Sequence, residues 1–480
     1  MKRREFLKLS AAGVATLVIG RIPGFGVHNA FAATHTLEVT ITDALKDMVT
    51  HNEVNTAQCY FWVYKMKADG VEVPADCPGP TILSMKGDSV SISITNALDE
   101  PHSFYVPGVL PSDPPMFDSG PINPGVTVTG TFTATHSGAF LYYDNLNEPV
   151  NRVMGLHGAL VVRPTVAVGA HKLTPYDNPS SHVQSLFNSF GEDDGFPGLA
   201  WEEGDTQTLT PPCRQYVWLA HEASPNLFAE VGNLPAGQIY NAGAFMDTFL
   251  RDPFHPERQN RIPQYFTMNG QSGPFSHFSP VITPMGRMGE PVIIHILNAG
   301  LWTHSMHVHA NHFYVTFAKG GVQDNPVWVD TYHVKPMQRV DYVVPFMRPP
   351  DIPNLRGIGR PDAGRIGPSG LAAYPPAQEL QLYFPERGES TATNIHGAVI
   401  DLEQRMSPLC YPMHDHSEPS QTAQGGNYNC GLISGIYIVG DRNTPGFMDF
   451  PMDHDFLMMY RNIRGIASTG PAPGPPPVHE

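Results

Sequence analysis

Residues 304–312 read HSMHVHANH, four histidines in nine positions with small or apolar partners between them. Imidazole is the commonest side-chain ligand for transition metals. On an extended strand, residues two apart point the same way. His307 and His309 therefore share one face, while His304 and His312 stand at the two ends with another orientation open to them. A second cluster, PMHDHSEPSQ, repeats the device: His414 and His416 share a face and Asp415 points opposite. Two such strands side by side bring four imidazoles together, enough for a tight copper or zinc site. The alternative is a set of hydrogen-bonded histidines lining a polar core. Met306 and Met413, each preceding a cluster histidine, are either soft metal contacts or alternate-face core residues, and core packing is the expectation. Asp415 and Glu418 are either proton-relay or cation-binding groups, or solvated turn carboxylates.

Such clusters need strands to hold them, and the chain supplies strands. HTLEVTITDA, DSVSISITNA (88–97) and VTVTGTFTAT (126–135) alternate with period two, with the turn signals CPGPT and NPG between them. GALVVRP (158–164) reads as a buried closing strand, so residues 34–165 form one all-β unit of sandwich size. A second set comprises RQYVWLAHE (214–222), PVIIHILNAG (291–300), HFYVTFAKGG (312–321), QRVDYVVPF (338–346) and GLISGIYIVG (431–440). This second unit spans 213–445 and carries a Pro/Gly-rich insertion at 347–378. Residues 166–212 lack periodicity and read as a linker or long excursion, and 446–480 as a tail. Both sets run from a strand ending in TNA or LNAG, through a histidine-bearing turn and a Pro-led turn, to a Gly-rich closing strand. The expected fold class is all-β: two copies of one Greek-key β-sandwich with long loops.

Composition narrows the partners. The chain has 480 residues with 45 Gly, 48 Pro, 22 His and a net charge of −16. That charge argues against nucleic acid and anionic membranes and is compatible with cationic ligands. The N-terminus, MKRREFLKLSAAGVATLVIG, pairs Arg3 and Arg4 ahead of Phe6, Leu7 and Lys8, with a short apolar run from Ala11 to Ile19. That run is too short to span a bilayer. The pattern resembles a bacterial twin-arginine signal occupying residues 1–32, with AFA at 30–32 as the cleavage site; a general secretory signal is the alternative. Either leads to a periplasmic protein without a membrane span. Five cysteines suit that oxidising compartment, and the favoured pairings are Cys59–Cys77 and Cys410–Cys430, leaving Cys213 unpaired. No phosphate loop, nucleotide fingerprint or Ser-His-Asp pattern stands out.

The spacing H-x-x-H-x-H after LNAG and before FYV is similar to a copper motif of the multicopper oxidases. PGPTI, GDSV, ITNALDEP and GAFLYY resemble that family's first cupredoxin domain; YFTMNG (265–270) and VDTYHVKPMQRVDYVV resemble its last. The layout is similar to two-domain laccases and copper nitrite reductases. The resemblance implies two cupredoxin-like domains, copper as cofactor, oxygen as electron acceptor and a homotrimer with metal between subunits. It implies a type 1 role for His304, type 2 and type 3 roles for His307 and His309, and type 3 roles for His414 and His416. Asp415 stands where the type 1 cysteine belongs, and Ser420 where its second histidine belongs. Aspartate is a hard ligand and cannot replace a thiolate in a blue site. In the first domain, Tyr105 and Pro107 replace one His-x-His, and Tyr143 and Asn145 the other. His102 is either a stray ligand or a turn residue, and His157 is expected to pack near the closing strand.

Two principal functions follow. One is an oxidoreductase with a reduced, histidine-ligated copper set and no blue centre, its substrate a metal ion or a small-molecule reductant. The other is a non-enzymatic cupredoxin-like copper-binding or scaffold protein. A third reading is a nitrite-reductase-like enzyme with a lone type 2 site.

Overall fold

The computed structural model describes residues 16–18, 34–49, 56–110, 112–164, 174–189, 215–250, 265–277, 279, 282–286, 291–309, 311–344, 391–393, 399–401, 409–423, 428 and 430–438. The insertion at 347–378, the tail at 446–480 and nearly all of the expected signal segment lie outside these residues. Within that segment Thr16–Val18 is a short strand, paired in parallel with Thr81–Met85.

Four sheets carry the fold. In the first half, one sheet runs in the order Val71–Val73, Thr56–Ala68, Thr34–Val49, Ser89–Asn96, Thr127–Thr133. Its partner runs Thr16–Val18, Thr81–Met85, His157–Arg163, Gly138–Tyr143, Tyr105–Val106, Phe117–Asp118. In the second half, one sheet runs Tyr265–Met268, Gln215–Ala223, Val292–Asn298, Arg339–Val344, Phe313–Ala318, Gly321–Val329. The other runs Met285–Gly286, Ile433–Ile438, Leu409–Asp415, His304–Val308, Thr331–Val334. The chain is all-β with two cupredoxin-like sandwiches.

Burial shows how the layers stack. Ser89–Asn96 has every second residue buried, as a strand with one solvated face should. Gln215–Ala223 and Val292–Asn298 are buried at every position. Their sheet packs on its sandwich partner on one side and on the first sandwich on the other. Leu83, Leu141 and Val161 meet Val217, Leu219 and Leu297 in a separate apolar layer between the sandwiches.

The stretch read as a linker or long excursion has structure of its own among the described residues. Ser181–Ser189 is helical, and Ser180 Oγ donates to the Gln323 carbonyl at 2.7 Å. Tyr176 donates to Asp341 at 2.9 Å in the second sandwich, while the neighbouring Asp177 accepts from Lys86 at 2.8 Å in the first. The segment fastens the sandwiches together, with polar side chains that carry no periodic signal.

The cysteine pairings need correction. Cys59 and Cys77 are both buried thiols without a bond between them. The turn that carries Cys77 brings its sulfur to two imidazoles instead. Cys430 is buried and forms no disulfide. Cys410 sits opposite Tyr437, whereas Cys430 lies beyond the His414–Ile433 end of that ladder. At about 3.3 Å per strand residue the two are too far apart to bridge.

Candidate metal centre

His304–Val308 and Leu409–Asp415 lie side by side and antiparallel, with His307 opposite His414 and Met306 opposite Asp415. Alternation then sorts the side chains. Met306, Val308, Met413, His304 and Asp415 are buried in the sandwich. His307 and His414 are half-buried and His309 and His416 exposed on the outer face. Both methionines are core residues, as expected of the alternate face.

The four outer imidazoles form one group. Ring centroids are 5.0 Å apart for His307 and His309, 4.8 Å for His307 and His416, 4.9 Å for His309 and His414, and 4.9 Å for His414 and His416. Ligand atoms of His307, His309 and His414 all lie within 4.8 Å of one another. His309 Nε2 and His414 Nε2 are 2.8 Å apart. Two ring nitrogens approach that closely when one donates to the other, or when both aim at one cation.

Neighbouring groups fix the tautomers. His307 Nδ1 donates to Thr331 Oγ1 at 2.8 Å or to the Asp330 carbonyl at 3.0 Å, which leaves its Nε2 as the acceptor. His414 Nδ1 meets the Tyr428 hydroxyl at 2.6 Å, and that hydroxyl donates onward to the Asp415 carbonyl at 2.6 Å. Tyr428 adopts φ +60°, a conformation uncommon outside glycine, and so reaches His414. Burial and the neighbouring imidazoles lower the pKa of His307 and His414, although backbone carbonyls partly offset this. Neutral imidazoles with one nitrogen anchored and the other bare are what a first-row metal requires. Glu418 stands exposed at the start of the helix Glu418–Thr422.

His304 is placed differently. It faces the core, and each ring nitrogen donates to a carboxylate: Nδ1 to Asp415 and Nε2 to Glu222, both at 2.7 Å. Desolvation opposes its charged form, but the two carboxylates prevail and its pKa is pushed up to about 10. An imidazolium has no lone pair for a metal. Asp415 is saturated as well, accepting from Ser305 N at 2.6 Å, Ser417 N at 3.1 Å and Ser420 Oγ at 2.8 Å besides His304. His304, Asp415 and Ser420 thus make a closed hydrogen-bonded cluster. The first sandwich repeats it: His102 Nδ1 donates to Asp144 at 2.8 Å, and Asn151 and Ser103 complete the carboxylate's shell. There Tyr105 and Tyr143 pack edge to face at 5.3 Å in the places that would need histidines.

Glu222 and Tyr428 were not singled out by the sequence reading. Glu222 left one signal, a carboxylate inside the apolar run WLAHEA; Tyr428 left none.

Two family models, each described as multicopper oxidase, match residues 54–166 and 249–347. Over these two stretches the chain matches the multicopper oxidase family. Copper is the cofactor of these oxidases. Among related proteins, Laccase-22 of Oryza sativa subsp. japonica is 23% identical over 419 residues, 81% of this chain and 62% of that protein. An L-ascorbate oxidase of Cucurbita pepo var. melopepo is 37% identical over 94 residues, 18% of this chain and 17% of that protein. The chain thus spans less than two thirds of these multicopper oxidases. A blue copper oxidase structure from Nitrosomonas europaea aligns with TM-score 0.48 and 15% identity over 92% of this chain and 96% of that one. The second family model ends at residue 347, ahead of His414 and His416.

Proposed function

We propose that the chain is a periplasmic copper oxidoreductase whose copper is held by His307, His309, His414 and His416, without a type 1 blue centre. The carrying observation is the 2.8 Å approach of His309 Nε2 to His414 Nε2, with the outer nitrogens of His414 and of the neighbouring His307 already anchored. Copper bound there supplies one-electron redox chemistry, with oxygen the acceptor suggested by the family. Thr331 and Tyr428 hold the imidazoles in register, and the exposure of His309 and His416 admits a metal ion or a small-molecule reductant. His304 stays outside the ligand set, because both of its nitrogens are committed to carboxylates. A twin-arginine leader and a homotrimer belong to the same reading. No helix among the described residues is long and apolar enough to cross a membrane.

A second reading, copper binding without catalysis, is favoured by one feature: at Asp415 the family's thiolate is replaced by a carboxylate that His304 neutralises. Copper titration and oxygen uptake with Cu(I), Mn(II) and a phenol distinguish the two. His307→Ala and His414→Ala should bind copper at least tenfold more weakly, as ligand or supporting-shell losses do, and lose any uptake. Parent-like copper binding in both variants overturns the assignment. Copper binding without uptake supports the second reading.

A further inference from the structure

The apolar layer between the sandwiches ends in a second donor group. Along His157–Arg163, alternation puts His157 on the face of Ala159 and Val161; along Gln215–Ala223 it puts His221 on the face of Val217 and Leu219. Those faces meet in the layer, so the two histidines meet at its rim, with ring centroids 4.5 Å apart. Cys77 joins them. Its sulfur and one nitrogen of each histidine all lie within 4.8 Å of one another, and all three residues are buried. We propose that Cys77, His157 and His221 form a buried three-coordinate site for a soft monovalent ion, Cu(I).

The histidines are prepared as ligands. The short helix Val150–Val153 ends in carbonyls that need donors. His157 Nδ1 donates to the Arg152 carbonyl at 2.8 Å, and His221 Nε2 to the Val153 carbonyl at 2.7 Å. Consecutive carbonyls of one turn thus set both tautomers, leaving bare nitrogens at Nε2 of His157 and Nδ1 of His221. His157 Nε2 is buried and has no hydrogen-bond partner. A three-coordinate ion with bonds of about 2.0–2.3 Å keeps its donors about 3.5–3.8 Å apart, so a spacing within 4.8 Å closes by small side-chain rotations. Gly155 leaves the room: a Cβ there would sit 3.3 Å from the Cys77 sulfur and collide with the Trp62 carbonyl.

Charge selects the ion. Cys77 is a buried free thiol. Binding Cu(I) exchanges the thiol proton for the metal: the S–H bond breaks, an S–Cu bond forms, and one proton leaves. The buried charge does not change. A divalent ion would add one uncompensated positive charge in an apolar setting that includes Phe61 and Phe228, which is costly. Thiolate with imidazole also suits soft Cu(I). Two cations stand near the site, each paired with a carboxylate: Arg152 with Glu148, and Lys46, which also donates to the Cys77 carbonyl, with Asp76.

The test uses the full chain, loaded anaerobically with Cu(I) during expression, with His307→Ala and His414→Ala removing the outer site. That double variant should retain about one copper per chain against an external Cu(I) chelator, with one sulfur and two nitrogen scatterers by X-ray absorption. Adding Cys77→Ser should remove the copper; adding Cys59→Ser should not. Retention of copper with Cys77→Ser, or no sulfur scatterer in the double variant, overturns the proposal. If the Cys77→Ser chain fails to fold, the scatterer measurement on the double variant alone decides. Because the outer site is absent throughout, failure here is separate from failure of the four-histidine assignment.

Discussion

His304 Nδ1 donates to Asp415 across 2.7 Å in the core of the second sandwich, and His102 makes the same bond to Asp144 across 2.8 Å in the first. In each case the histidine opens an H-x-x-z-x-z pattern and the aspartate lies between the two outward residues of the facing strand. The two sandwiches thus carry one motif twice, an imidazole closed by a carboxylate. What differs is the outer face, histidines in the second sandwich and Tyr105 and Tyr143 in the first.

The His304 cluster should make stability fall on the alkaline side. Its folded pKa, about 10, lies above the unfolded value of 6.5. A group raised in this way contributes fully below pH 6.5, and its contribution is lost as pH rises toward 10. Denaturant unfolding of the parent should therefore weaken across that window more than unfolding of His304→Gln. Asp415→Ala leaves Glu222 and Ser420 around an altered charge and should cost about 3–5 kcal/mol at neutral pH. Equal pH slopes in parent and His304→Gln would show that the imidazole is not held charged.

Tyr428→Phe should weaken copper binding at the outer site without unfolding the sheet. The hydroxyl accepts from His414 Nδ1 and donates to the Asp415 carbonyl, so its loss frees the imidazole to turn or change tautomer. Losses of this kind cost about 10–100-fold in metal affinity. By contrast His312→Ala should leave affinity unchanged, because His312 stacks on Trp328 at 5.4 Å, away from the cluster. Calorimetric copper titration of the two variants beside the parent checks both.

Export should depend on the paired arginines. With both changed, as Arg3→Lys together with Arg4→Lys, the precursor should accumulate in the cytoplasm, because the receptor of that pathway reads the guanidinium pair. Cell fractionation reads the outcome. Unchanged periplasmic yield would assign the leader to the general secretory route.

Spacing carries local facts and cannot carry meetings between distant strands. Period two in Ser89–Asn96 foretells its alternating burial, and the same rule puts His307 with His309 and His414 with His416. That His304 turns inward is also a matter of alternation, but its second partner, Glu222, lies 82 residues earlier and belongs to another sheet. The meeting of Cys77, His157 and His221 needs the facing sheets of the two sandwiches packed together before it exists. The cysteine pairings failed for a related reason: sequence proximity of Cys59 and Cys77 says nothing about which way the intervening turn aims a sulfur.

Colour should separate the two copper environments. Copper(II) on His307, His309, His414 and His416 has imidazole ligands only, so it should absorb weakly in the visible. An intense band near roughly 600 nm needs a thiolate ligand, and Asp415 supplies none, being saturated by His304, Ser305, Ser417 and Ser420. The measurement belongs in Cys77→Ser, where the buried sulfur cannot contribute. That variant, titrated with Cu(II), should give a paramagnetic spectrum with nitrogen hyperfine structure and only a faint visible band. A strong band persisting there would mean that another cysteine reaches the outer face, and the assignment of an all-imidazole site would fail. A strong band in the parent that disappears in Cys77→Ser would instead trace the colour to the layer between the sandwiches and leave the outer site as described.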